Sequence, residues 1–245
     1  MASIVERLRA AGCVFAEDEA ALLEAATDDP ATLEAMVQRR AQGTPLEVVL
    51  GWAEFAGRRI LIDDGVFVPR PRTEALVAVA VERGRPGGAV LDLCCGSGAV
   101  GLVVAEALGG ALAATDLDPA AVACARRNGV NAVFGDLYEP LAPARFDVIT
   151  LVAPYVPTDD IRLLPREARL FEPPVTLDGG PDGLDVVRRA VAGAPGWLAS
   201  GGWFVTEVSE RQADAVAAAI EVAGLVASIV RDDEFDTTVA VGYYV

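Results

Sequence analysis

The chain has 245 residues, of which 53% are hydrophobic, and its formal net charge is −16. A field of that sign opposes binding to phosphate backbones, so we expect no direct nucleic-acid partner. The chain contains no histidine, which excludes Ser-His-Asp and Cys-His catalysis and histidine-ligated zinc from within it. Few side chains remain for acid–base work, and this favours chemistry that depends on positioning.

Length and composition fit one α/β domain with a small appendage. No stretch of about 20 residues lacks charges and turn formers, so we expect no membrane span. Residues 1–9 lack the apolar core of a secretory signal. The four cysteines form no CxxC pair and do not resemble a disulfide framework, and we predict no metal site. A cytoplasmic location fits these features.

The first part of the chain has apolar residues at helical spacing. Residues 1–50 contain Ile4-Val5-Leu8 and Leu33-Met36-Val37, and they predict a small N-terminal helical domain. Residues 51–72 are interpreted as a linker. Within it, alternation around Gly57 over residues 54–67 predicts a β-hairpin.

From residue 73 to 245 the pattern alternates between helix and strand, and two final strands are interpreted as an antiparallel pair. A mostly parallel sheet with an antiparallel C-terminal edge is a mixed, doubly wound α/β fold. The predicted strands are Ala89–Leu93, Ala111–Thr115, Ala132–Phe134, Asp147–Leu151, Trp203–Val208, Ala227–Arg231 and Thr237–Tyr244. The predicted helices are 73–83, 98–108, Pro119–Asn128, Val186–Ala192 and Ala213–Ala223.

A glycine loop follows the first of these strands. Residues 96–101 satisfy GxGxxG, and Asp116 ends the next strand. Such a loop lets backbone N–H groups approach a ligand while a carboxylate binds ribose hydroxyls, which predicts an adenosine-containing cofactor. The spacing alone also fits a structural turn or a nicotinamide site. Asp92 at the strand end suits a cationic amino group, and with the antiparallel edge it favours S-adenosyl-L-methionine.

Four ordered segments resemble the protein N5-glutamine methyltransferases that act on peptide release factors, the HemK or PrmC family. These segments correspond to the family's GxPLxYxxGxxEF linker, its (V/I)PRPxTE segment, its VLDLGTGSG loop and its AL-GG-DGL segment. The resemblance implies a seven-stranded class I methyltransferase sheet, a helical N-terminal domain that recognises the substrate, and a release factor as protein partner. The matching residues are 43–55, 67–74, 90–98 and 177–184.

The resemblance also implies roles for individual residues. Asp92, Gly96 and Gly98 would line the methionine and ribose portions of the cofactor. Asp116 would hold the ribose hydroxyls, with Leu117 and Asp136 near the adenine. Thr73 would close over the site, and Cys94 would belong to the cofactor loop. Cys94 and Cys95 replace the family's Gly-Thr, and we interpret them as small packing residues rather than nucleophiles.

The acceptor motif departs from the family. In Asn-Pro-Pro-Tyr, the Asn side chain and the following backbone carbonyl accept hydrogen bonds from the substrate amide. Here Val152, Ala153, Pro154 and Tyr155 occupy those positions. Ala153 keeps the carbonyl, whereas Val152 has no polar atom, and a lost buried acceptor costs about 1–3 kcal/mol.

Three interpretations of this change remain open. The protein retains a weakened glutamine methylation, methylates another acceptor, or binds the cofactor without transferring a methyl group. We favour an adenosylmethionine-dependent methyltransferase with a glutamine amide as the leading acceptor.

Overall fold

The computed structural model describes residues 2–245, except for the side chains at positions 166 and 167. Its α-helices are α1 (Ile4–Ala10), α2 (Ala16–Ala26), α3 (Pro30–Ala41), α4 (Leu46–Leu50), α5 (Glu74–Arg83), α6 (Ala99–Leu108), α7 (Pro119–Arg127), α8 (Arg166–Phe171), α9 (Asp185–Gly193) and α10 (Ala213–Val222). Its strands are β1 (Trp52–Phe55), β2 (Arg58–Leu61), β3 (Val90–Leu93), β4 (Leu112–Asp116), β5 (Ala132–Phe134), β6 (Phe146–Leu151), β7 (Leu198–Val208), β8 (Val226–Asp232) and β9 (Thr237–Tyr243).

Within the described residues, the main sheet has seven strands in the order β5-β4-β3-β6-β7-β9-β8. The first five run parallel, and β9 lies antiparallel between β7 and β8. Every residue of β3 is buried, as expected where a parallel sheet is covered on both faces. This arrangement confirms the predicted mixed, doubly wound fold. The strand order reverses beside β3, and this is the position where such sheets bind ligands.

The smaller sheet is the hairpin of β1 and β2, with Trp52 paired to Leu61. Its turn residues Ala56 and Gly57 both have positive φ, which suits a tight hairpin turn. The hairpin is shorter than predicted. It ends near Ile62, whose N–H donates to the Gly51 carbonyl, and residues 63–65 form a separate turn.

Two further segments differ from the sequence prediction. Strand β7 begins at Leu198, not Trp203, because Phe146 pairs with Leu198 across an irregular register. Residues 158–176, for which no element was predicted, form short 3₁₀ turns around α8. Five prolines between residues 154 and 174 break this segment into short pieces.

The core lies on both faces of the main sheet. Helices α5 and α6 pack on one face around Leu76 and Val104, and α9 and α10 pack on the other around Val187 and Ile220. The N-terminal helices pack around a separate apolar cluster that includes Leu23. No helix in residues 2–245 is both long and apolar enough to cross a membrane.

Candidate active site

A cavity of about 640 Å³ opens at the carboxyl ends of β3, β4, β5 and β6. This volume is typical of a pocket for a small-molecule ligand. The structure brings together all but one of the sequence-predicted site residues around it. Those that line the cavity are Thr73, Asp92, Cys94, Gly96, Asp116, Leu117, Asp136, Val152, Ala153, Pro154 and Tyr155.

Gly98 lies outside the lining and is the N-cap residue of α6, with φ of +81°. A Cβ on this residue would lie 2.7 Å from Cγ2 of Val130 and 3.3 Å from Cβ of Ala125. The glycine therefore lets the loop pack closely against the segment that follows α7.

The glycine loop and Asp116 are joined by hydrogen bonds. The Gly96 N–H donates to Oδ2 of Asp116 at 2.8 Å, and the Asp118 N–H donates to Oδ1 at 2.8 Å. The Asp118 side chain in turn caps α7, whose first residue is Pro119. Burial raises the pKa of the Asp116 carboxyl. Asp116 is therefore fixed at the end of β4, with lone pairs left for ligand hydroxyls.

Asp92 is almost fully buried at the end of β3. Its Oδ1 accepts a hydrogen bond from the Thr150 hydroxyl at 2.8 Å, and its Oδ2 accepts one from the Gly101 N–H at 3.0 Å. Burial raises the pKa of Asp92 to about 7. A carboxylate desolvated in this way is stabilised by an adjacent cation.

Adenosylmethionine carries an ammonium and a sulfonium, and the residues present fit it. Asp92, Asp116 and Asp136 all line the cavity. The Thr115 hydroxyl, also in the lining, is buried without a hydrogen-bond partner among the described residues. Carboxylates complement the positive charges of this cofactor.

Cys94 adopts a positive φ of +53° in the loop. Burial raises the pKa of its thiol, and the neighbouring carboxylates of Asp116 and Asp92 add to that effect. A thiol kept protonated is a poor nucleophile, in agreement with a packing role.

Asp136 and Leu117 lie on the loops after β5 and β4. Asp136 forms an ion pair with Arg189 of α9, which sequence reasoning did not identify. Leu117 is half exposed at the cavity edge. Both line the same cavity as Asp116.

Glu207 is a second group that sequence reasoning missed, although an acidic residue inside an apolar strand was a usable signal. It is buried near the end of β7. Its Oε2 accepts a hydrogen bond from the Thr73 hydroxyl at 2.6 Å, and its Oε1 accepts one from Nε of Arg72 at 3.0 Å. Arg72 also donates to the Tyr155 hydroxyl. This chain of contacts links the proline-rich segment to the acceptor loop.

Residues 152–155, which we call the acceptor loop, follow β6 directly. Val152 is partly buried and packs against the apolar core on the α5–α6 face. Ala153 is buried, and no hydrogen bond between described residues ends on its carbonyl oxygen. Burial raises the pKa of the Tyr155 phenol. The loop thus presents a backbone acceptor and an aromatic hydroxyl to the cavity.

The segment 177–184 supports this loop from outside. The Gly179 N–H donates to the Val156 carbonyl at 2.9 Å. Gln212 uses its side-chain N–H groups to bind the carbonyls of Tyr155 and Asp182, at 2.9 and 3.0 Å. A Cβ on Gly179 would lie 2.6 Å from the Pro154 carbonyl oxygen, so a glycine here allows the close contact with the acceptor loop.

Comparisons with known proteins agree with this geometry. Residues 90–173 match the family model described as "Methyltransferase domain". The release factor glutamine methyltransferase of Xylella fastidiosa (strain 9a5c) is 38% identical over 240 residues, covering 94% of this chain and 86% of that protein. The corresponding protein of Geobacter sulfurreducens is 39% identical over 196 residues, covering 77% of this chain and 69% of that protein.

Among solved structures, the E. cuniculi Mtq2–Trm112 complex, responsible for methylation of the termination factor eRF1, matches with a TM-score of 0.54. The identity is 28%, covering 74% of this chain and 99% of the matched one. The long matches to the bacterial enzymes settle the family. The chain belongs to the release factor glutamine methyltransferases and is an S-adenosyl-L-methionine-dependent methyltransferase.

Proposed function

We propose that the protein methylates the side-chain amide nitrogen of a glutamine in a peptide release factor. The observation that carries this proposal is the likeness to release factor glutamine methyltransferases over 94% of the chain. The cavity supports it, because one lining holds both the loops suited to the cofactor and the acceptor loop.

In this proposal, the cofactor lies along the ends of β3 and β4. Asp92 faces its cationic amino acid end, and Asp116 accepts hydrogen bonds from the ribose hydroxyls. Leu117 and Asp136 flank the adenine, while Cys94, Gly96 and Thr73 complete the walls. When bound, adenosylmethionine supplies a methyl group on a positively charged sulfur. Burial of Asp92 and Asp116 strengthens their attraction for that charge.

The acceptor amide is held by the acceptor loop. The Ala153 carbonyl accepts one N–H of the amide, and Pro154 and Tyr155 pack against the aliphatic part of the glutamine. Val152 supplies no second acceptor, so orientation of the nitrogen depends on the backbone carbonyl and on packing. Transfer is therefore slower than a site with two acceptors would give.

Val152 also favours a second candidate function, which is transfer to another acceptor. A nucleophile with a single N–H or O–H needs only one hydrogen-bond acceptor, and the Ala153 carbonyl provides one. The cavity lining also includes the apolar residues Phe67, Leu164 and Val175, which suit the apolar part of such an acceptor.

The test is transfer of a labelled methyl group from adenosylmethionine to an intact release factor, with mass spectrometry of the product. We expect the label on one glutamine, and none on an acceptor in which that glutamine is replaced by alanine. Labelling of a residue other than glutamine would support the second candidate instead. Labelling of a different protein in a whole-cell extract, with no label on the release factor, would support it as well.

A further inference from the structure

Glu172 has a buried carboxylate oxygen that lacks a partner. The residue is 7% exposed, and its Oε1 accepts a hydrogen bond from the Arg70 guanidinium. Its Oε2 has no hydrogen-bond partner among the described residues. A buried oxygen without a hydrogen-bond partner is unfavourable, so an incoming donor would be favoured there.

Glu172 and Arg70 also lie where two cavities meet. Both residues line the cofactor cavity, and both line a second, more open cavity of about 590 Å³ beside the N-terminal helices. That second cavity includes Phe15 and Leu22, whose side chains are exposed. A polypeptide that reaches the acceptor loop from this side passes the Arg70–Glu172 pair.

The charge of the pair determines what kind of donor fits. Arg70 already neutralises the Glu172 carboxylate, so a cationic donor would place a second positive charge beside the guanidinium. A neutral N–H avoids that repulsion and still satisfies Oε2.

We propose that Oε2 of Glu172 accepts a hydrogen bond from a main-chain N–H of the acceptor polypeptide, close to the residue that is methylated. This inference rests on the proposed function and adds a specificity-determining contact to it. Arg70 holds the carboxylate in place and leaves the second oxygen for substrate. Glu172 thus acts in acceptor binding and not in cofactor binding.

The first experiment measures binding of an intact release factor to the protein saturated with adenosylhomocysteine. In Glu172→Gln, the amide oxygen can keep the Arg70 contact, which places an NH₂ group where Oε2 stood. We expect about tenfold weaker acceptor binding and an equal rise in KM, with kcat and adenosylhomocysteine affinity unchanged. Asp147→Asn is the matched control, because Asp147 also pairs with an arginine, Arg85, but lies outside both cavities.

A second measurement leaves the protein unaltered in case Glu172→Gln does not fold. In synthetic peptides spanning the methylated glutamine, each main-chain N–H is replaced in turn by an ester oxygen. One replacement should weaken binding to the parent protein about tenfold, and in folded Glu172→Gln that same replacement should have no further effect.

The inference is overturned if Glu172→Gln binds the release factor as tightly as the parent does. It is overturned as well if the variant loses as much affinity for adenosylhomocysteine as for the release factor. It is also overturned if no single ester replacement weakens binding. Failure of the parent protein to methylate any release factor, while its cofactor binding is intact, is a different result and refutes the proposed function.

Discussion

Gly183 lies directly against Tyr155. A Cβ on Gly183 would be 2.2 Å from the Tyr155 carbonyl oxygen, and the residue has φ of +78°. No side chain fits there without moving the acceptor loop. The glycine-rich segment before α9 therefore packs directly against the acceptor loop.

Gly183→Ala should displace the acceptor loop. We expect transfer to fall about 100-fold, because small misplacements of reacting groups are costly, while adenosylhomocysteine affinity changes little. Gly224→Ala is the matched control, since Gly224 has φ of +83° but no atom near its missing Cβ. It should cost only the backbone strain, about 1 kcal/mol. Labelled-methyl assays measure the loss of transfer, and thermal unfolding measures the loss of stability. An equal loss of transfer in both variants would contradict the expectation.

Val152→Asn should restore the missing side-chain acceptor. We expect methyl transfer to a release factor to rise on the order of 100-fold, in the range of one oriented polar group in an active site. Val152→Ala, which removes bulk without adding a polar atom, should give no increase. Initial rates at saturating cofactor decide this. A parent rate equal to that of Val152→Asn would show that the acceptor needs only the Ala153 carbonyl.

Cofactor affinity should depend on pH through Asp92. The pKa of its carboxyl is raised by burial to about 7, above the unfolded value of about 3.9. The folded protein thus binds this proton more tightly, and Asp92 lowers stability as pH rises from about 4 to about 7. A cationic ligand favours the ionised form, so adenosylmethionine affinity should increase about fivefold from pH 6 to pH 7, where the ligand's α-amino group, with a pKa of about 7.7–8.0, stays mostly charged. Calorimetric titration should show this increase in the parent and weak, pH-independent binding in Asp92→Asn. A flat profile in the parent would exclude this role.

Asp116→Ala should weaken adenosylhomocysteine binding about tenfold or more, because it removes a carboxylate proposed to bind two ribose hydroxyls. Asp118→Ala is the control. Asp118 lines the same cavity, and the substitution removes its helix cap on the Ala120 N–H but keeps its backbone N–H on Asp116. The expected cost is about 1 kcal/mol in stability. Calorimetry measures the adenosylhomocysteine affinity of each variant, and thermal unfolding measures its stability. Unchanged affinity in folded Asp116→Ala would place the ribose elsewhere.

Arg72 and Tyr155 should be energetically coupled. We expect Arg72→Met and Tyr155→Phe each to lower kcat/KM about fivefold, and the double variant to lose little more than either. Arg72→Met also removes one partner of Glu207, but the double-mutant cycle cancels that effect. Losses that multiply in the double variant would mean that the hydrogen bond does not contribute to placing Tyr155.

The sequence by itself determined the alternation of strand and helix from residue 89 onward and the place of the glycine loop. These features depend on local periodicity and on the short spacing from Asp92 to Asp116, which a single chain displays directly. Asp92 and the antiparallel edge of the sheet favoured adenosylmethionine as the cofactor, and motif resemblance added the acceptor loop. The consequence of Val152 was also visible, because a valine has no polar atom in any fold.

Only the tertiary structure decided which distant residues support the site. Glu207 lies in β7, Gln212 lies directly before α10, and Arg189 lies in α9. No local pattern in the sequence links these residues to the loops that they hold. The buried oxygen of Glu172 is likewise invisible in sequence, because burial and pairing depend on packing across the whole fold. The glycines of segment 177–184 could be matched to a motif, but their closeness to Pro154 and Tyr155 is a property of the folded chain alone.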